Sequence, residues 1–110
     1  MEKQPNEISK IFISQPMKDR SEEEIRTERE ELILIATQQY GAIEVIPSFF
    51  GEEFDASKSK NPAVKYLGKS IEMLAEADIA LFGKGWENAR GCKMEHDICC
   101  SYGIPTHELR

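Results

Sequence analysis

At 110 residues the chain suits one domain, because two would leave neither half enough core. A hydrophobic fraction of 40% with 31% charged residues is that of an ordinary soluble globular protein, and no apolar run approaches the roughly 18 residues a membrane-spanning helix needs. A formal net charge of −6 argues against binding a nucleic-acid polymer, whose phosphates require a basic surface, but leaves room for one small anion held by local cations and helix N-termini.

The first residues, 1–8, read as a loose polar lead without the apolar segment of a secretory signal. An odd count of three cysteines then points to reduced thiols and a cytoplasmic location. Ile8 to Ser14 (ISKIFIS) is β-branched and aromatic and ends at Gln15-Pro16, which predicts a strand followed by a breaker. Ser21-Glu22-Glu23-Glu24 has the form of a capping box, so a helix starts there. Its apolar positions Ile25, Leu32, Ile35 and Ala36 repeat at helical spacing until Tyr40-Gly41 stops it. Ala42 to Ile46 is a second short strand, closed by Pro47. Gly51 to Asn61 is polar and long for an internal connection, as lids and binding loops often are.

Asn61-Pro62 supplies an N-cap and a first-turn proline for a second helix, with Val64, Leu67, Ile71 and Leu74 as its apolar stripe. Asp78 to Phe82 (DIALF) is a buried strand ended by Gly83-Lys84-Gly85. A third helix is expected from about Gly91 to Tyr102, with Gly103 as its C-cap. Ile104 to Leu109 is a last strand, whose Ile104-Pro105 start suits an edge. Strands alternating with helices imply parallel crossovers. The expected fold is therefore a three-layer α/β, flavodoxin-like or Rossmann-like domain with a short sheet of four or five strands in the order 2-1-3-4 and helices on both faces. Ligands in such sheets sit beyond the carboxyl ends of the strands, near the switch in strand order.

Two segments fall at that place. Ser14 to Arg20 (SQPMKDR) offers backbone N–H groups, a helix start, Lys18 and Arg20 to a phosphate; it lacks the glycines of a Walker loop, and the alternative is a surface turn of solvated charges. Gly85 to Glu95 (GWENARGCKME) has glycines that permit close backbone approach. Trp86 could stack on a base or simply cover the sheet's end. Arg90 could fork onto an anion or sit in an exposed ion pair. Glu95 lies in the opening turns of the third helix, on a mostly apolar face shared with Cys92, Cys99 and Tyr102. A carboxylate there can serve as a nucleophile toward an electrophilic carbon, or merely bind a nearby N–H. Cys92, His96 and Cys99 do not make a zinc site, lacking a second knuckle. His96 and His107 form no recognisable Ser-His-Asp or Cys-His arrangement, and His107 reads as a surface residue.

The stretches KIFISQPMKDRSEEEIRTEREELI and YLGKSIEMLAEADIALFGKGWENARGCKMEHDICCSYGIP resemble the small DUF4406 family over nearly the whole chain, from about Lys10 to Leu109. Through Gly91-Cys92-Lys93-Met94-Glu95 the chain is also similar to nucleoside 2-deoxyribosyltransferases and deoxynucleoside 5′-monophosphate N-glycosidases. The resemblance implies Glu95 as the nucleophile in cleavage of an N-glycosidic bond, with Ser14, Gln15, Met17, Arg20, Ser70, Trp86, Arg90 and Gly91 around a nucleoside or nucleotide. It implies no cofactor or metal, and a homodimer or larger homo-oligomer. Two positions depart from those enzymes: Phe12 stands where they carry a tyrosine, and Ser70 where they carry an aspartate. Those departures favour the alternative of a non-catalytic nucleotide-binding module of the same fold.

Overall fold

The computed structural model describes residues 10–41, 44–46 and 58–110. The expected N-terminal lead, the start of the first strand at Ile8, Ala42, Pro47 and residues 51–57 of the polar loop lie outside the described residues. The remaining elements follow the expected order. They are β1 (Lys10–Ser14), α1 (Glu22–Tyr40), β2 (Glu44–Val45), α2 (Pro62–Leu74), β3 (Ile79–Phe82), a 3-10 turn (Trp86–Asn88), α3 (Arg90–Tyr102) and β4 (Thr106–Glu108).

The helix boundaries have local causes. Ser21 accepts from the Glu24 N–H while the Glu24 side chain accepts from the Ser21 N–H, so two orphan donors at the start of α1 are satisfied reciprocally. Three glutamates in the first turn sit where the helix dipole favours negative charge. Gly41 closes α1 in the left-handed conformation at φ 68°, which costs a residue with a Cβ about 1 kcal/mol or more. Asn61 caps α2 by accepting from the Val64 N–H, with Pro62 at its first position.

The four strands form one parallel sheet in the order β2-β1-β3-β4, as expected. Strand alternation assigns the two faces. Ile11 and Ile13 join Ile79 and Leu81 against Leu32 and Ala36 of α1. Phe12 points the other way and packs with Ala80 and Phe82 against Leu74 of α2 and Cys92 and Cys99 of α3. Ser14 shares the parity of Phe12, so its hydroxyl emerges on the α2–α3 side at the carboxyl end of β1.

Three details correct the expectations. The apolar stripe of α2 holds at Leu74, which is fully buried, and at Leu67, which lines the cavity, but fails at Val64, which is 61% exposed; Ser70 and Met73 also line the cavity. Tyr102 does not share the buried face of α3. Cys92, Glu95 and Cys99 are buried but Tyr102, in the last turn of α3, is 80% exposed. His107 is not a surface residue but is half-buried, with its Nδ1 2.7 Å from the Tyr40 hydroxyl.

Candidate functional site

β1 and β3 are neighbours in the sheet, yet their following helices cover opposite faces, so a crevice opens where the chain leaves both. Its floor is the end of β1, its sides are α2 and the start of α3, and its rim is the loop after β1. The cavity has a volume of about 850 Å³, within the roughly 300–1,000 Å³ that small-molecule sites occupy.

Glu95, in the second turn of α3, lines this cavity and is only 7% exposed. Ser14 Oγ donates to Glu95 Oε1 at 2.6 Å, and Ser70 of α2 lines the same cavity, its hydroxyl favouring the ionised form of that carboxyl. One carboxylate is thus reached from β1 and α2 while carried on α3. Burial pushes its pKa up, and the two serines only partly counter that. Such a carboxylate is poorly solvated and oriented by the Ser14 donor, which suits a nucleophile or a proton carrier. The neighbouring thiol is a weaker candidate. Burial pushes Cys92 up to about 11, so its reactive thiolate is scarce at neutral pH.

Ser14, Gln15, Met17, Ser70, Arg90, Gly91 and Glu95 all border the cavity. Arg90 and Met17 are both exposed at its rim, beside Lys18 and Asp19. Gly91 opens onto free space, since a methyl there would meet no atom within 4 Å. Gln15 contributes its stem, while its amide turns away to the Ile25 carbonyl at 2.9 Å and Glu28 Oε1 at 3.0 Å.

Arg20 and Trp86 do not border the cavity. Arg20 donates to the Pro16 carbonyl at 2.8 Å and to Glu28 Oε1 at 3.0 Å, so it braces the loop from beneath. Trp86 stacks on His96 with ring centroids 4.0 Å apart and leans on Phe82, so it covers the sheet's end. Glu87 is likewise absent from the lining. His96 turns to Glu108 and Cys100 rather than to Cys92 and Cys99. A cysteine and a histidine are therefore paired after all, by a contact that no motif announced.

Comparison with protein-family models, with curated proteins and with solved structures gives no match.

Sequence reasoning missed Glu28, Tyr66, Met73 and Asn88. The last three line the cavity; Tyr66 and Met73 sit in a helix with no chemical motif, and Asn88 lies unremarked within the Gly85 to Glu95 segment. Glu28 had a signal: the apolar series of α1 jumps from Ile25 to Leu32, and the buried run is Glu28, Leu32 and Ala36. A carboxylate occupies a core-facing step of the helix. It accepts from Gln15, Arg20 and the Lys84 N–H, tying the loop after β1 to the loop after β3. Burial raises its pKa, but those donors outweigh burial and leave it below the ordinary value. Gly83 makes this possible, since a methyl there would fall on the Glu28 carboxylate.

Proposed function

We propose that the protein is a nucleoside 2-deoxyribosyltransferase-like N-glycosidase or transferase, acting on a deoxynucleoside or its 5′-monophosphate. The observation that carries the reading is the Glu95 carboxylate, buried and held by the Ser14 hydroxyl in the wall of a nucleotide-sized cavity. The resemblance of the Gly91 to Glu95 segment to those enzymes adds to it.

In the first step a Glu95 oxygen attacks C1′, the N-glycosidic bond breaks, and its electron pair leaves with the base, which takes up a proton. The glycosyl ester is then resolved by water, or by a second base in a transferase, with net retention. Ser14 holds the attacking carboxylate in register, while its incomplete solvation keeps it reactive. Lys18 and Arg90, at the rim, are cations placed to meet a 5′-phosphate. Ser70 and Tyr66 bring hydroxyls to the lining on the side of the sugar. No step calls for a metal or an organic cofactor.

Three further parts belong to the proposal. Cys92, Cys99 and Cys100 are all free thiols, which suits the cytoplasm; among the described residues no helix is long and apolar enough to cross a membrane. The partner is a small nucleoside or nucleotide rather than a nucleic-acid polymer. The exposed apolar surface of Val64 and Tyr66 on α2 suits a homodimer or larger homo-oligomer.

The test is base release. Purified protein is incubated with each deoxynucleoside and 5′-monophosphate, and free base is separated by chromatography. Release by the wild type and not by Glu95→Ala supports the proposal; no release from any substrate counts against it. A second reading, a nucleotide-binding module without turnover, is favoured by Phe12, which lines the cavity but has no hydroxyl to orient a nucleophile. Proton delivery to a leaving group is worth roughly 10²–10⁴-fold in rate, and Ser70 is a poor acid for it. Thermal stabilisation by a nucleotide without base release selects this module.

A further inference from the structure

Away from the cavity, a second cluster of chemically capable side chains joins α3 to β4. His96 Nε2 lies 2.8 Å from Glu108 Oε2, and His96 Nδ1 lies 3.7 Å from Cys100 Sγ. The imidazole is held in place by the Trp86 face stacked on it and by an edge contact with Phe82. None of His96, Cys100 and Glu108 lines the cavity, so the cluster has no part in the chemistry proposed there.

The order of the three groups matters. An ionised carboxylate only accepts, so the hydrogen on the Glu108 side of the ring belongs to Nε2. Glu108 is well suited to stay ionised: burial pushes its pKa up, but hydrogen bonds from Thr106 and His96 and the charge of Arg110 are among the effects that outweigh burial and hold it down. The neutral ring therefore presents the Nδ1 lone pair to the thiol, four residues on along α3. That is the geometry in which an oriented base takes a proton from a nucleophile. Cys100 is exposed, so the arrangement fits reaction with a small reagent arriving from solvent rather than turnover of a bound substrate.

We infer that Cys100 is a reversible modification site, a surface thiol activated by His96 and Glu108 for exchange with small disulfides such as glutathione disulfide. In the step, the Sγ proton passes to His96 Nδ1 and the thiolate attacks one sulfur of the disulfide. The disulfide bond breaks, a bond forms between Sγ and the attacked sulfur, and the departing thiolate recovers the proton from His96. One disulfide and one thiol become a mixed disulfide and one thiol, with no other oxidant. Cys92 and Cys99 are buried, so they do not compete.

The experiment follows mixed-disulfide formation on the folded, full-length chain with glutathione disulfide at pH 7, by intact mass and peptide mapping. The reference is the same chain unfolded in denaturant. An ordinary thiol is only a few per cent ionised there; with His96 as the base that takes its proton, the folded chain should react roughly three- to tenfold faster. The adduct should map to Cys100 and vanish in C100S. H96F, which keeps an aromatic ring against Trp86, should fall to the unfolded-chain rate. E108Q should do the same, because its amide can donate to Nε2 and turn the ring's hydrogen toward the thiol. Melting temperatures confirm that each variant is folded. A wild-type rate no faster than the unfolded chain overturns the inference, as does an adduct on Cys92 or Cys99. Wild-type reactivity in either folded variant also overturns it.

Discussion

Ser14 Oγ donates to Glu95 Oε1 at 2.6 Å across a sequence separation of 81 residues. The bond joins the last residue of β1 to the second turn of α3, and both groups are buried. It fixes which way the carboxyl faces. It also makes the charge on Glu95 depend on a strand that packs in the middle of the sheet.

Removing that hydroxyl should therefore act on ionisation before it acts on the fold. Ser14→Ala leaves Glu95 with the same burial and only the smaller opposing effect of Ser70, so its pKa rises further. Should the protein release base, the acid limb of its kcat/KM profile should move to higher pH in this variant. Loss of one buried, charge-assisted hydrogen bond should cost about 1–3 kcal/mol, measured by urea unfolding at pH 7. An unmoved acid limb would show that Glu95 is not the titrating group.

Glu95 itself should be a site where function opposes stability. Its pKa is raised in the folded state above the ordinary 4.5, so the folded protein binds this proton more tightly than the unfolded chain. The contribution is stabilising below pH 4.5 and is lost as pH rises through the folded value. Glu95→Gln carries no charge to desolvate and still accepts from Ser14. It should melt higher than the wild type at pH 7, with the gap closing as pH falls to the ordinary carboxylate range. Equal melting temperatures at all pH values would refute the buried-charge account.

Glu28 should behave with the opposite sign. Its folded pKa is depressed below 4.5, so its stabilisation is full above pH 4.5 and is lost as pH falls through the folded value. Glu28→Gln should flatten the acid limb of the stability profile, followed by urea unfolding from neutral pH downward. It should also weaken the ion pair that keeps Arg20 against the loop after β1.

The contact between Gly83 and Glu28 gives a double-mutant test. Gly83→Ala alone places a methyl on the Glu28 carboxylate and should cost about 1–3 kcal/mol through overpacking. In a Glu28→Ala background that clash is gone, so the same substitution should cost much less. The difference between the two costs measures the coupling. Additive effects would mean that the carboxylate moves aside without penalty.

Gly91 separates space from folding. Nothing lies within 4 Å of a methyl placed there, and alanine is the better helix former by up to about 1 kcal/mol. Gly91→Ala should thus fold at least as stably as the wild type. If a nucleotide approaches the start of α3 closely, the same change should weaken its binding, read by titration calorimetry.

Much of the architecture was legible in the chain because it follows from local rules. Ser21 and Glu24 mark the start of α1, Gly41 its end, and Asn61-Pro62 the start of α2, since caps and left-handed glycines act on their immediate neighbours. Alternation of strands and helices led directly to the observed order β2-β1-β3-β4, because parallel strands need crossovers. Periodicity was less informative where a helix is only partly covered. Val64, Leu67, Ile71 and Leu74 repeat at helical spacing, and Leu74 is fully buried, yet Val64 is exposed and Ile71 only half-buried, because α2 turns its Leu67, Ser70 and Met73 side toward the cavity.

The chain alone put Glu95 on an inward face and Ser14 at a strand end, because those depend on spacing within one element. That Ser14 holds Glu95, that Glu28 rather than a phosphate holds Arg20, and that Trp86 stacks on His96 could only be decided by the fold. Hydrogen bonds and ring contacts depend on angstrom-scale approach between elements, and spacing within an element carries no information about what stands opposite. Tertiary structure brings those elements together, and with them the environments that raise one carboxylate and lower another.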